Sequence, residues 1–375
     1  MNILHIENYL YAIEEKIVKS ALIRVTELNP TQEFFNEIDL VQYNLIRKDA
    51  YNVPLLAHRF LMQKLIDWAF IQFFQKENTS FKIDCNLVEM SENIDFQLFT
   101  NINKNEFAEI LENLHSNFLN SEFVYQSGKL KRIKSKINLK ETGSVYTQSD
   151  IAKQICLETI ENRLSQGVEA KDLTLLDFGC GTGRFYWAAF EILTQKYNID
   201  NQIVIQNLYA IDINNIALIV LKIKVLLANG IDFLETVNQN IIKRNMLMIK
   251  NGLMFQQDDF LDIQQDFPVL LQSVGFDVIV SNPPYFLLKI NKNNTKDAFF
   301  EKYYQSLSEK CSQEVAYFRN SGLYSHSVEG MLNYYKLSIE MMLKLCKTKG
   351  EIGIICPSTL FGDVSSMKLR KHILG

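Results

Sequence analysis

The stretch LTLLDFGCGTGRFYWAAFEILTQKY, residues 173–197, decides the fold. It starts as an apolar run at 173–179, read as a buried strand. Gly179, Gly181 and Gly183 interrupt the run, and a helix is expected over 183–197. Glycine lets a backbone turn tightly and approach a ligand closely. Taken alone, the pattern fits a tight strand-to-helix turn as well as a nucleotide cradle.

Working outward, the same alternation continues. Strands are expected at 206–213, 253–260, 275–284 and 351–358, with helices at 214–230 and 331–350, the last ending at Gly350 as its C-cap. Strands alternating with helices imply an α/β fold, a mainly parallel sheet with helices on both faces. Upstream, apolar residues recur at helical spacing through 43–76 and 103–119. An N-terminal helical domain over 1–127 follows, read as a packed bundle without chemistry of its own. Between the two regions, Lys129, Lys131, Arg132, Lys134, Lys136 and Lys140 crowd together with no acid until Glu141. The run 128–142 is read as a solvated basic linker, or as a strap contacting phosphates. The second domain then covers 143–375.

Composition narrows the class. The chain has 375 residues, 47% hydrophobic and 22% charged, as in ordinary globular proteins. That excludes disorder of the whole chain. No stretch approaches about 18 uncharged apolar residues, so no membrane span is expected. The early acids of MNILHIENYLYAIEEK do not fit a secretion signal. The 6 cysteines form no CxxC pair or Cys/His cluster, so neither zinc nor a disulfide scaffold is implied, and a reducing cytoplasmic setting fits. A net charge of -4 leaves room for a local basic face.

Two further elements carry chemistry. Asp212 ends the second strand of the α/β region, where a carboxylate can accept both hydroxyls of a ribose. An N-cap for the next helix is the plainer alternative. Gly loop plus acid points to an adenosine-containing cofactor without naming it. Ser281-Asn282-Pro283-Pro284-Tyr285 follows the apolar strand FDVIV. The prolines fix the backbone and hold each preceding residue extended. Asn282 and the carbonyl of Pro283 then offer two acceptors to one planar amino group. Such nitrogens are poor nucleophiles because the lone pair is delocalised, and two acceptors return electron density to it. No general base is required, since the proton turns acidic once the nitrogen is alkylated. Tyr285 offers a face on which a flat substrate stacks.

With these residues in view, the chain resembles the gamma-group adenine-N6 DNA methyltransferases of type I and type IIG restriction-modification systems. The resemblance spans roughly 141–375 and rests on GCGTG, Asp212, NPPY and the preceding Gly143-Ser144-Val145-Tyr146-Thr147-Gln148. Gln148 and Phe178 stand where the family usually has proline. The resemblance implies a Rossmann-like sheet binding S-adenosylmethionine. It places Tyr146 and Thr147 at the methionine end of that cofactor. Asp177, Gly179, Cys180 and Gly181 shape the cradle, Asp212 holds the ribose and Ile213 packs on the adenine ring. In Asp259-Phe260 the acid accepts from the cofactor's amino group, with Asp258 as its alternative. Asn282, Pro283, Pro284 and Tyr285 hold an adenine flipped from duplex DNA. The family's last strands and target-recognition domain are not found in the sequence. The expectation is therefore a fragment, or a split enzyme completed by a specificity or target-recognition subunit, with the fifth strand as an exposed edge. The same NPPY chemistry also serves protein glutamine or RNA guanine amino groups. A non-catalytic fragment that binds DNA or a partner is a reading of another class.

Overall fold

The computed structural model describes residues 3–28, 53–83, 93–126, 129–134, 147–249, 260–268, 275–288 and 298–374. Two compact units emerge, Met1–Asn138 with Ile219–Asp232, and Leu139–Leu218 with Phe233–Gly375.

Among the described residues, the N-terminal part of the first unit carries the helices Ile3–Leu28, Val53–Phe74 and Lys104–Leu119. The third starts at a capping box: the Asn103 side chain accepts from the Asn105 and Glu106 amides, and Glu106 accepts from the Asn103 amide. The core packs Leu10, Ile17, Leu61, Leu65, Phe107 and Leu111 with no exposed surface. Residues 219–232, which read in sequence as part of the α/β region, are built into this unit. Lys224 Nζ lies 3.1 Å from Glu112 Oε2, while Val220, Leu221 and Ile223 are buried.

The basic run contains a strand where a linker was expected. Strand β1 (Ser121–Gln126) pairs antiparallel with β2 (Lys129–Lys134), Phe123 facing Arg132. Arg132 donates to the buried carboxylate of Glu14 and lies over the rings of Tyr11 and Phe123. The acid that partners this charge is 118 positions away, which a local charge count does not see. The rest of the run, 135–142, lies outside the described residues.

The second unit carries a five-stranded sheet of β3 (Leu175–Phe178), β4 (Leu208–Asp212), β5 (Ile241–Lys243), β8 (Phe276–Ser281) and β9 (Cys346–Ile354). Its order is β5-β4-β3-β8-β9, and every pair is parallel. Two short strands between, β6 (Asn245–Ile249) and β7 (Phe260–Leu261), form a separate parallel pair. This is the parallel α/β architecture anticipated from the alternating pattern, Rossmann-like as the resemblance implies. The order reverses between β3 and β8, and ligands of such sheets bind at that switch point, beyond the strand ends. Leu176 pairs with Ile279 and Asp177 with Val280. Two segments 103 residues apart thus end side by side.

The helix expected over 331–350 is shorter. It runs Tyr334–Leu345, and the chain enters β9 at Cys346. Gly350 is not a helix cap: a Cβ there would lie 2.5 Å from Cys346 Sγ, so glycine permits a close backbone approach inside the strand. Of the strand expected at 253–260, only Phe260 is described, at the start of β7.

Candidate active site

β3 delivers the chain into a turn containing three left-handed glycines, Gly179, Gly181 and Gly183. At Gly179 a side chain is excluded twice over, by φ of +76° and by Met246 packed against it. The Gly179 and Cys180 amides donate to the carbonyl of Ile211 at 2.9 and 3.1 Å, fastening the turn to β4. Asp177 lies behind the turn, fully buried, and its Oδ2 accepts from the amide of Tyr186 at 2.9 Å. It therefore anchors the helix Arg184–Glu191. Burial, with the neighbouring Asp212, pushes the Asp177 carboxyl up to about 8, against the lowering effect of the Tyr186 N–H. Its Oδ1 has no hydrogen-bond partner among the described residues. Cys180 is buried at the centre of the turn.

Asp212 caps no helix, because Asn214 does that work. The Asn214 side chain accepts from the amides of Ile216 and Ala217 at 3.1 and 3.2 Å. Asp212 instead accepts from the Gly181 amide at 2.8 Å through Oδ2 and from the Asn214 amide at 2.7 Å through Oδ1. Burial raises its pKa, and the backbone donors hold the rise down. The Ile213 amide acts on the same carboxylate, and a carboxylate with three backbone donors still has room for a hydroxyl group. Beside it Ile213 is 56% exposed, an unusual position for a large aliphatic side chain at the end of a buried strand.

On the neighbouring strand, Ser281 Oγ donates to the Phe178 carbonyl at 2.5 Å, and the Ser281 carbonyl accepts from the Ile355 amide at 3.0 Å. Ser281 thus pins the NPPY segment to strands on both sides. Pattern reading passed over this residue, and its only sequence signal is a small hydroxyl at the end of an apolar run. Asn282 follows, partly exposed. Its Nδ2 donates to Thr147 Oγ1 at 3.0 Å, and its Oδ1 accepts from the Tyr285 hydroxyl at 2.7 Å. Pro283 is buried, while Pro284 and Tyr285 are half-buried. The Tyr285 hydroxyl also lies 3.2 Å from the Ile355 carbonyl. Beyond it, backbone bonds from Leu288 to Leu332 and from Tyr334 to Phe286 hold the exit of the segment.

The structure therefore assembles Thr147, Asp177, Gly179, Cys180, Gly181, Asp212, Ile213 and Asn282 to Tyr285 around the ends of β3, β4 and β8. Phe260 sits apart in role: its ring is fully buried, edge-on to Tyr317 in the core, with no surface turned to a ligand. Tyr146, Asp258 and Asp259 lie outside the described residues. Among the described residues no group of acids, histidines or cysteines could hold a metal, and no helix is long and apolar enough to cross a membrane.

Beyond the site, sequence comparison finds relatives for the α/β region. Residues 206–375 match the Eco57I restriction-modification methylase family. The resemblance to restriction-modification methylases holds over this segment. An Escherichia coli relative, the Type II restriction enzyme and methyltransferase RM.Eco57I, is 23% identical over 306 residues, covering 71% of this chain and 28% of that protein. Two solved structures share the fold at 14% identity. The DrdV–DNA complex has a TM-score of 0.57, and the ATP-dependent Type ISP restriction-modification enzyme LlaBIII bound to DNA has 0.54. Each covers 99% of this chain, which spans 37% and 26% of theirs. The chain thus spans between about a quarter and two fifths of the length of these larger proteins.

Proposed function

We propose that this chain is the methylating part of a restriction-modification system, transferring a methyl group from S-adenosylmethionine to N6 of an adenine in DNA. The observation that carries this reading is the Asn282 amide at the end of β8, beside the glycine turn at the end of β3.

The residues present fit the cofactor. Gly181 leaves open space where a Cβ would stand, so a ligand can approach that backbone. Asp212 has acceptor capacity for ribose hydroxyls, and the exposed Ile213 suits the face of an adenine ring. Thr147 stands beside Asn282, and Cys180 lies within the turn. Asp177 supports the turn from behind. When bound, the cofactor supplies a methyl group on a positively charged sulfur, a strong electrophile. The protein's part is to present the nucleophile. Asn282 Oδ1 and the Pro283 carbonyl accept the two hydrogens of the adenine amino group and draw its lone pair toward the methyl carbon. Once alkylated, the amino nitrogen would be acidic enough to release its proton to water, so these residues need no dedicated base. Tyr285 stacks on the base, an interaction worth about 1–3 kcal/mol. A base inside the duplex cannot reach this place, so the adenine must flip out.

Residues 143–375 are proposed as the catalytic domain and the helical region as a separate domain. DNA is the proposed partner, with target choice made by a recognition segment or subunit, in the cytoplasm. The test is methyl transfer from labelled S-adenosylmethionine to unmethylated, sequence-diverse duplex DNA, with RNA and protein acceptors in parallel. N6-methyladenine in the DNA is the expected product. Label in RNA or protein moves the same chemistry to another acceptor. Cofactor binding without transfer to any acceptor indicates a binding role instead.

A further inference from the structure

The Asn282 amide sits between two hydroxyl groups. Thr147, just before the helix Ser149–Ser165, takes its nitrogen at 3.0 Å, and Tyr285 gives a proton to its oxygen at 2.7 Å. A primary amide has nearly the same shape after a half-turn that exchanges oxygen and nitrogen. The chemistry is not symmetrical. With Oδ1 toward the substrate, an acceptor meets an amino group. With Nδ2 there, two donors meet and the lone pair is pushed away from the reaction.

Neither hydroxyl imposes the useful orientation by its identity, because each can donate or accept. Between these two partners, orientation follows where the hydroxyl protons go. Tyr285 has a second acceptor within 3.2 Å, the Ile355 carbonyl, so its proton has an alternative to Asn282. Thr147 is the more decisive partner, because it must accept from Nδ2 and spend its own proton elsewhere. We propose that Thr147 is a positioning residue that fixes the Asn282 amide with its oxygen toward the substrate amino group. The role goes beyond contact with the methionine end of the cofactor and acts through Asn282, not on the substrate. It rests on the reading of Asn282 as the amino-group acceptor.

The experiment compares Thr147→Val, which keeps the shape and loses the acceptor, with Thr147→Ser, which keeps it. At saturating S-adenosylmethionine and duplex DNA, Thr147→Val is expected to lower kcat about 100-fold, as misplacement of a reacting group does, with cofactor Kd within about threefold. Thr147→Ser is expected to restore kcat to within about threefold of the parent. In an Asn282→Ala background, Thr147→Val should cost nothing more, the signature of two residues acting as a unit. Parent-like kcat for Thr147→Val, or the full loss appearing again in the Asn282→Ala background, overturns the proposal. So does a loss that appears only in cofactor Kd.

A second readout does not depend on turnover. Neutron crystal structures of the deuterated parent and Thr147→Val, which tell amide oxygen from nitrogen, are compared. A rotated or two-state Asn282 in the variant supports the role, and an unchanged amide overturns it. If the parent methylates no acceptor, the proposed function fails by that result, and the crystal comparison still decides the role of Thr147.

Discussion

Both compact units bury ionisable side chains, and they do so in opposite ways. In the helical unit the polar groups turn toward each other. His115 donates to His58 at 3.0 Å, His58 donates to Glu14 at 2.6 Å, and Glu14 also accepts from Arg132. Glu14, His58 and His115 have essentially no exposed surface, and His58 stacks on Phe118. In the α/β unit, Asp177 and Asp212 turn instead to backbone amides of the glycine turn and of the helix starts that follow it. A buried side-chain relay specifies packing. Carboxylates bound by a turn shape a surface and leave acceptor capacity at its rim. The difference teaches where to look for chemistry: at strand ends where polar groups hold backbone, more than at the most deeply buried ionisable cluster.

The comparison breaks first at Asn282. Asn282→Ala should reduce methyl transfer about 10³-fold, as loss of one preorganised transition-state contact does, with cofactor binding intact by calorimetry. Full transfer by this variant would remove Asn282 from the chemistry. On the other side, Glu14→Ala strands Arg132 and His58 in an apolar core. It should destabilise the helical unit by about 3 kcal/mol, read from amide exchange of its helices. Transfer rates per folded molecule should not change; a proportionate loss of kcat would mean that the relay does more than pack. Next comes Asp212→Ala, expected to weaken S-adenosylmethionine binding by about 10–100-fold, the worth of one to two good hydrogen bonds, without unfolding. Unchanged affinity would remove Asp212 from the cofactor site.

The smallest effect per step is the response to pH, and the two units should respond in opposite directions. Burial lowers the His58 pKa from its usual 6.5 down to about 3, and His115 is lowered as well, by burial and by His58 beside it. The unfolded chain therefore binds more protons below pH 6.5, and the helical unit loses stability as pH falls from 6.5 toward 3. One such histidine contributes about 1.4 kcal/mol per pH unit in that window. Asp177 is raised from 3.8 to about 8, so its contribution is fully present below 3.8 and is lost as pH rises through 8. Amide exchange at pH 4.5, 6.5 and 8.5 should show the helical unit weakening in acid and the Asp177 turn weakening in base. Asp177→Asn should flatten the second trend only; a retained slope would place its origin elsewhere.

Much of this was legible from residues alone. The α/β architecture followed from apolar runs alternating with helical faces, and the glycine turn and NPPY were each visible locally. What could not be read locally was set by partners far along the chain. Lys129–Lys134 looked like a solvated run because Glu14, the acid that receives Arg132, is distant. Cys346–Gly350 looked like the end of a helix because the demand for strand there comes from β8, where Phe276 faces Cys346. Asp212 had two readings until Asn214 was seen to occupy the cap. Phe260 entered the cofactor list through the resemblance to the family's Asp-Phe pair, and its ring is buried in the core.

The inclusion of Ile219–Asp232 in the helical unit bears on the order of events during synthesis. Val220, Leu221, Ile223 and Leu227 are buried there, so the first 138 residues lack part of their own interior. Emerging from the ribosome, the N-terminal helices must wait for about a hundred further residues before that interior closes, although domains usually fold as the chain emerges. β3 and β4 come out within the interval, before β8 exists to pair with them. The two units are thus interleaved in time as well as in sequence, and neither completes before the other has begun.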